Sequence, residues 1–427
     1  MAEKLRVGLL GYGTIGSGVI KLLTQSGLDI EKYVQLVKVA DIDLERAREV
    51  KVDPALLTSD TEAVVRDPDI DVIVELIGGV EAAKKFVEMA LDEGKDVVTA
   101  NKYLMSLYGD DLFERAAKTG ARLLFEASVA GGVPIIQTLR EGLASDRILS
   151  INAILNGTCN YILTRMEQKT GMDYEEAVAE AQARGFAEAD PSLDISGMDT
   201  AQKISILIRK AFRTRILPEE IDIQGITGVS NVDVQSAMEM GYRIKLLARV
   251  SREGDNLEVW VGPALIPAES ILARVKNEFN AISIDSEAHH LQTYIGKGAG
   301  MLPTAGAVVG DLFTLLSHRN VPSIFAEKRI DLPALDRNDI RCRYYLRLIV
   351  RDQPGVLARI SSALAEKNIS IASVVQREDS TDTERGVPLV IITHETTVGA
   401  IAQAVRVINQ EQVVLEPAHT IRIMDAL

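Results

Sequence analysis

The chain has 427 residues, is 47% hydrophobic and 25% charged, and carries a net charge of −14. At roughly 100–200 residues per domain this makes two to four domains, each able to bury its own core. The acidic balance, with no basic stripe, argues against a nucleic-acid partner.

Two cysteines, Cys159 and Cys342, leave no disulfide framework and no CxxC pair. No apolar run approaches the ~18 residues of a bilayer span. The first strand pattern opens directly after Met1-Ala2-Glu3-Lys4, with no secretory pattern before it. A cytoplasmic enzyme with no membrane partner is the expectation.

The first predicted element is an apolar run over Arg6–Gly11, followed by a helix from Thr14 to about Ser26. Between them lies Gly11-Tyr12-Gly13-Thr14-Ile15-Gly16, a GxGxxG motif in strand–turn–helix context. Gly11 permits the turn, Gly13 lets the backbone approach a pyrophosphate, and Gly16 lets helix and strand pack closely. The helix N-terminus then offers N–H groups to the phosphates.

A second strand, Val34–Ala40, ends at Asp41. An acidic residue there suits a ribose 2′-hydroxyl and favours NAD over NADP. Arg46 and Arg48, a few residues on, suit a 2′-phosphate instead, so both cofactors stay open. The alternative is that Asp41 and Asp43 cap a following helix. Further strands over Val72–Leu76, Asp96–Ala100 and Leu123–Phe125, with a helix over Ala82–Glu93, predict a parallel doubly wound sheet running to about residue 130.

Past Pro134 the pattern becomes mixed, with strands over Ile148–Asn156 and Leu257–Leu265 among helices. The stretch Gly185–Lys203 concentrates Glu188, Asp190, Asp194 and Asp199 in a turn-rich loop and sets Lys203 four residues after Asp199. Ala201, Ile204, Leu207, Ile208 and Ala211 recur at helical spacing behind it.

A surface i,i+4 ion pair is the bland reading of Asp199 and Lys203. The crowd of acids favours a site for a small zwitterion that also moves a proton. Asp199 would favour the charged form of Lys203, which makes it a ready acid for aldehyde reduction and a poor base at neutral pH. The turn Asn156-Gly157-Thr158 reads either as capping chemistry or as a substrate-lining element. None of the five histidines lies in a motif with a carboxylate.

Residues 296–309 form a glycine loop and a helix that could return the chain to the nucleotide domain. A charged stretch over Glu327–Arg343 reads as a linker. Strand, helix, strand, strand, helix, strand then follow from Tyr345 to Ile423, a ferredoxin-like βαββαβ unit.

Together GLLGYGTIG, VELIGG, VVTANK, FEASVAGGVPII, LNGTCNYIL, GFAEADPSLDISGMDTAQK and GAGMLPTA resemble homoserine dehydrogenase over about residues 5–320. The tail, with DQPGVLARI, resembles an ACT domain. The resemblance implies an α/β class with three parts: a Rossmann-type dinucleotide-binding domain, an α+β substrate and dimerisation domain, and a C-terminal ACT domain. In residues these are 1–130 (completed by about 300–320), 131–325 and 345–427, with a linker over 326–344.

The implied reaction is the reversible NAD- or NADP-dependent interconversion of L-homoserine and L-aspartate 4-semialdehyde. Lys203 matches the proton-transfer lysine and Lys102 the lysine beside nicotinamide and substrate. Glu188 matches a substrate-binding carboxylate, with Asp194 and Asp199 its acidic partners. Gly300 falls in the cofactor loop. Glu126, with the carbonyls of Val129, Gly131 and Val133, matches a site for sodium or potassium.

Departures are Leu193, where some members have a second aspartate, and Lys297 inside the glycine loop. The ACT resemblance implies an amino-acid effector, with L-threonine the expectation, at Gly355 and Asn368. It also implies a homodimer or a larger homo-oligomer. The rivals are aspartate-semialdehyde dehydrogenase, which needs a nucleophilic cysteine that only Cys159 could supply, and a sensor that would not need Lys203.

Overall fold

In a computed structural model, residues 4–25, 27, 29–169, 171–317, 330–376 and 386–425 are described. The predicted helix end at Ser26, His318 and the opening of the charged stretch at Glu327 lie outside them. The chain divides into two compact units. No helix among the described residues is long and apolar enough to cross a membrane.

The first unit comprises residues 1–147, 202–218 and 294–331. Its six strands are β1 (Leu5–Leu10), β2 (Val34–Ala40), β3 (Leu57–Thr58), β4 (Val72–Glu75), β5 (Asp96–Thr99) and β6 (Leu123–Leu124). They are all parallel, in the order β3-β2-β1-β4-β5-β6. β4 is buried throughout and β1 at every residue but Arg6, as the strands of a parallel sheet tend to be.

The helix Thr14–Gln25 packs against the helix Met301–Ser317 through Val19, Ile20, Leu23, Ala305, Val308 and Leu312. The late segment thus completes the core of the nucleotide-binding sheet.

The second unit comprises residues 148–201, 219–293 and 332–427. Its strands are β7 (Ile148–Ile154), β8 (Asp222–Ile223), β9 (Tyr242–Glu253), β10 (Asn256–Pro267) and β11 (Phe279–Ser286); β12 (Gln292–Lys297) carries the chain back to the first unit. After it come β13 (Arg341–Val350), β14 (Ile371–Gln376), β15 (Val387–Thr393), β16 (Thr396–Thr397) and β17 (Val414–Ile423).

The antiparallel order β11-β7-β9-β10 continues through β17 into β13, β15 and β14. The join is a short parallel pairing of Ala264 with Arg422 and Leu265 with Ile423. β13 to β17, with the helices Val356–Ala365 and Val398–Ile408, form the βαββαβ unit around a core of its own.

The charged stretch before β13 is built into this unit rather than loosely spanned. Leu257 N–H donates to Pro333 O, and Leu335 N–H donates to Leu257 O. Leu332 and Ile340 are buried, and those two apolar side chains are what fix a segment whose charge reads as linker.

Candidate active site

The first unit builds a nucleotide cradle from its glycines. At Gly11 the backbone turns with φ +101°, and a Cβ would sit 2.6 Å from Leu76 O. A Cβ on Gly16 would sit 2.1 Å from Gly11 O, so only glycine lets the helix start so close to the turn. Gly13 is open on the side where its Cβ would be, with nothing within 4 Å. That openness is what backbone contact with a pyrophosphate needs, so the loop fits a dinucleotide.

Asp41 ends β2 and ties the loop down. Its Oδ2 accepts from Tyr12 N–H at 2.6 Å and its Oδ1 from Asp43 N–H at 2.8 Å. Arg48 pairs with Asp41 at 3.2 Å, donates to Tyr12 O at 2.7 Å, and lies over the Tyr12 ring. No helix follows Asp41; residues 41–53 are loop, so the capping alternative does not apply. Arg46 is exposed, while Arg48 is spent on protein partners.

At the carboxyl ends of β4 and β5 the motifs VELIGG and VVTANK are bonded together. Thr99 Oγ1 donates to Glu75 Oε2 at 2.5 Å, and Asn101 Nδ2 donates to Gly79 O at 2.7 Å. Asn101 Oδ1 caps the helix Lys102–Thr119 by accepting from Leu104 N–H at 3.0 Å, which makes Lys102 its first residue. Burial pushes the Glu75 carboxyl up to about 7 against the hydrogen bonds from Thr99, Ile77 and Asn101.

The helix Met198–Phe212 bears both Asp199 and Lys203. Its portion in the first unit is anchored on the Lys102 helix: Arg209 pairs with Asp110 at 2.8 Å and donates to Met105 O at 2.8 Å. Lys102 and Lys203 are both half-buried.

In the second unit, β7 leads into the turn Asn156-Gly157-Thr158. Asn156 caps the helix Gly157–Gln168, its Oδ1 accepting from Cys159 N–H at 2.8 Å. The Asn156 side-chain amide donates to Asp194 Oδ1 at 2.7 Å and to Asp199 Oδ2 at 2.8 Å. Cys159 is wholly buried, and its Sγ donates to Asp194 O at 3.3 Å. That packing suits a structural thiol rather than a nucleophile.

The four acids differ in burial. Asp199 is 2% exposed and Asp194 half-buried, whereas Glu188 and Asp190 are exposed. Asp190 Oδ1 accepts from Ser192 N–H at 3.1 Å, and hydrogen bonding at Ser192 holds its carboxyl below the usual range. Asp194 and Asp199 are the two that one residue joins. The Asn156 bridge between the two acids is not legible in the sequence, where the NGT turn reads as capping or substrate lining without pointing to Asp194 or Asp199.

Glu126 is buried in the first unit, its carboxylate accepting from Ile136 N–H at 2.9 Å and Gln137 N–H at 2.6 Å. Asp311, on the helix Met301–Ser317, accepts from Glu126 N–H at 2.9 Å. Burial raises the Glu126 carboxyl and, with Glu126 nearby, pushes Asp311 up to about 7.

Both acids line a cavity of about 410 Å³ with Gly131, Gln137, Lys297 and Pro303. Gly132 N–H donates to Lys297 O at 2.9 Å, which seats the glycine loop before Gly300 on this turn. No group of three or more His, Cys, Asp or Glu gathers among the described residues.

In the Gly-rich turn at the β1 end, a Rossmann-type sheet and a second unit carrying acids, the fold defines a nicotinamide-dependent dehydrogenase. Family models agree: homoserine dehydrogenase, NAD binding domain, matches residues 11–126, homoserine dehydrogenase matches residues 134–313, and the ACT domain matches residues 344–410. A homoserine dehydrogenase of Bacillus subtilis is 39% identical over 99% of this chain and 98% of its own.

The crystal structure of a homoserine dehydrogenase from Thiobacillus denitrificans superposes with a TM-score of 0.92 at 38% identity, covering 99% of each chain. A hyperthermophilic archaeal homoserine dehydrogenase in complex with NADPH covers 74% of this chain and 98% of its own, with a TM-score of 0.62 and 25% identity. The chain belongs to the homoserine dehydrogenase family and is an NAD(P)-dependent oxidoreductase.

Proposed function

We propose that Lys203, Asp199 and Lys102 carry the chemistry on L-homoserine and L-aspartate 4-semialdehyde, with Glu188 and Asp194 binding the substrate. The observation that carries this reading is the helix Met198–Phe212, which holds Asp199 and Lys203 one turn apart. A bound nicotinamide would supply the hydride chemistry. Lys203 exchanges the proton: it protonates the oxygen as the aldehyde is reduced and removes that proton as homoserine is oxidised. Lys102, at the carboxyl end of the parallel sheet where ligands bind, positions substrate against cofactor.

The cofactor is held by Gly11, Tyr12, Gly13, Thr14, Ile15, Gly16, Asp41, Lys102 and Gly300, with NAD preferred. Asp41 directly follows β2, the position that suits a ribose, and the Arg48 guanidinium is engaged by Asp41 and by the carbonyls of Tyr12, Asp43 and Arg46. NADP is the second candidate, since Arg46 is exposed and the archaeal relative was solved with NADPH. Glu126, Val129, Gly131 and Val133 would hold sodium or potassium, bracing the turn that supports the glycine loop.

The enzyme would act in the cytoplasm, in the supply of threonine, methionine and isoleucine. L-threonine would inhibit through Gly355 and Asn368, provided that it binds two states of the protein unequally. Gly355, with φ +90°, opens the helix Val356–Ala365 without a side-chain cap, which supports a carboxylate partner there. A homodimer or a larger homo-oligomer is the expected assembly; β14 exposes Val374 and Val375 at the sheet edge.

The test is homoserine-dependent reduction of NAD and of NADP by wild type and Lys203→Ala, with and without threonine. Loss of about 100-fold or more in kcat for Lys203→Ala, with cofactor affinity retained, is the expected result. Full activity in that variant would overturn the assignment.

A further inference from the structure

Asp194 and Asp199 come from different elements, the short helix Ser192–Ile195 and the start of the helix Met198–Phe212. Two carboxylates converging on one place repel unless something between them donates. That something is a neutral side chain. Asn156 is 4% exposed, and its one amide nitrogen reaches Asp194 Oδ1 at 2.7 Å and Asp199 Oδ2 at 2.8 Å.

The orientation of the amide follows from its other end. Cys159 N–H can only donate, so the atom facing it at 2.8 Å is the carbonyl oxygen. Both amide hydrogens are then committed, one to each carboxylate. An arginine or lysine in this place would bridge the acids and also cancel their charge. A neutral amide bridges them without adding a charge of its own.

We propose that Asn156 is a positioning residue for the reaction. It sets the separation of Asp194 and Asp199 without neutralising them, and through Asp199 it fixes the helix turn that bears Lys203. The inference rests on the functional reading of those residues given above.

The structure also supplies a way to separate this role from helix capping. Aspartate and serine cap a helix about as well as asparagine, but neither can bridge both acids. Asn156→Asp, when ionised, has no hydrogen to donate and adds a third negative charge beside Asp194 and Asp199. Asn156→Ser is too short to reach both and adds no charge.

The experiment measures kcat and KM for L-homoserine, cofactor affinity and thermal unfolding for the two Asn156 variants beside Lys203→Ala and Asp199→Asn. The expected result is a 10- to 100-fold fall in kcat/KM for both Asn156 variants, the scale for a small misplacement of a site. Cofactor affinity should stay within about twofold, since the nucleotide loop is untouched. Asn156→Asp should lose more activity as pH rises and its new carboxyl ionises.

Should Asn156→Asp fail to fold, Asn156→Ser carries the test by itself. Wild-type kcat/KM in Asn156→Ser, with Lys203→Ala and Asp199→Asn impaired, would overturn the positioning role alone. Wild-type activity in Lys203→Ala as well would overturn the site reading and this inference with it.

Discussion

Glu75 ends β4 with its carboxyl wholly buried, bonded by the Thr99 hydroxyl and the Ile77 amide. Burial lifts it to about 7, above its value in the unfolded chain. The folded protein therefore holds this proton through a pH range in which the unfolded chain has released it. The stabilisation is complete below about pH 4.5 and fades as pH rises to about 7. Glu75→Gln should flatten this part of the profile, the difference reaching on the order of 3 kcal/mol. Denaturant unfolding of both proteins from pH 5 to pH 8, spanning about the range of the titration, checks it; parallel profiles would refute it.

At the scale of elements, the glycine loop was legible because its residues interact locally. Gly11, Gly13 and Gly16 lie within six positions and take their roles from the strand before and the helix after. Gly16→Ala should abolish cofactor binding, because its methyl would press on Gly11 O; titration with NAD or NADP measures this, and unchanged affinity would count against the cradle.

The hairpin of β9 and β10 was only half legible. β9 is buried on both faces over Ile244–Ala248, so its side chains do not alternate, and Lys245 interrupts the apolar run. That lysine is itself buried, donating to Asn160 Oδ1 at 3.0 Å and Val275 O at 2.6 Å. Burial pulls it down to about 8.

The Asn156 bridge was illegible for a different reason, since its partners lie 38 and 43 residues away. A long-range pairing of this kind also joins Arg347 on β13 to Asp233 at 2.9 Å, and Asp233 is fully buried. Arg347→Met strands that carboxylate and should cost about 3–5 kcal/mol, read by chemical denaturation. A cost near zero would mean that Ser230, which also donates to Asp233, suffices.

Within the second unit, the βαββαβ module has its own core but shares one sheet with β7, β9, β10 and β11. β17 pairs with β10, Arg422 pairs with Asp222 and lies over Trp260, and Gln224 donates to Thr420 O at 2.9 Å. Asp222 and Gln224 lead directly to Ile226, whose N–H donates to Ile195 O beside Asp194.

An appended module would be removable; this one is woven in. Deleting residues 332–427 should lower the unfolding temperature and promote aggregation by baring β10, as measured by thermal unfolding and size exclusion. A truncated chain of wild-type stability would contradict that view of the sheet.

The most direct test of the whole account is the pH dependence of homoserine oxidation by the full-length enzyme, wild type against Lys203→Ala, with saturating cofactor. A wild-type kcat that climbs from neutral to alkaline pH, as general-base removal of the homoserine proton requires, and a Lys203→Ala rate that is low and flat are the expected results. A wild-type profile already flat over that range, or a climb that survives in Lys203→Ala, would mean that the proton leaves by another group.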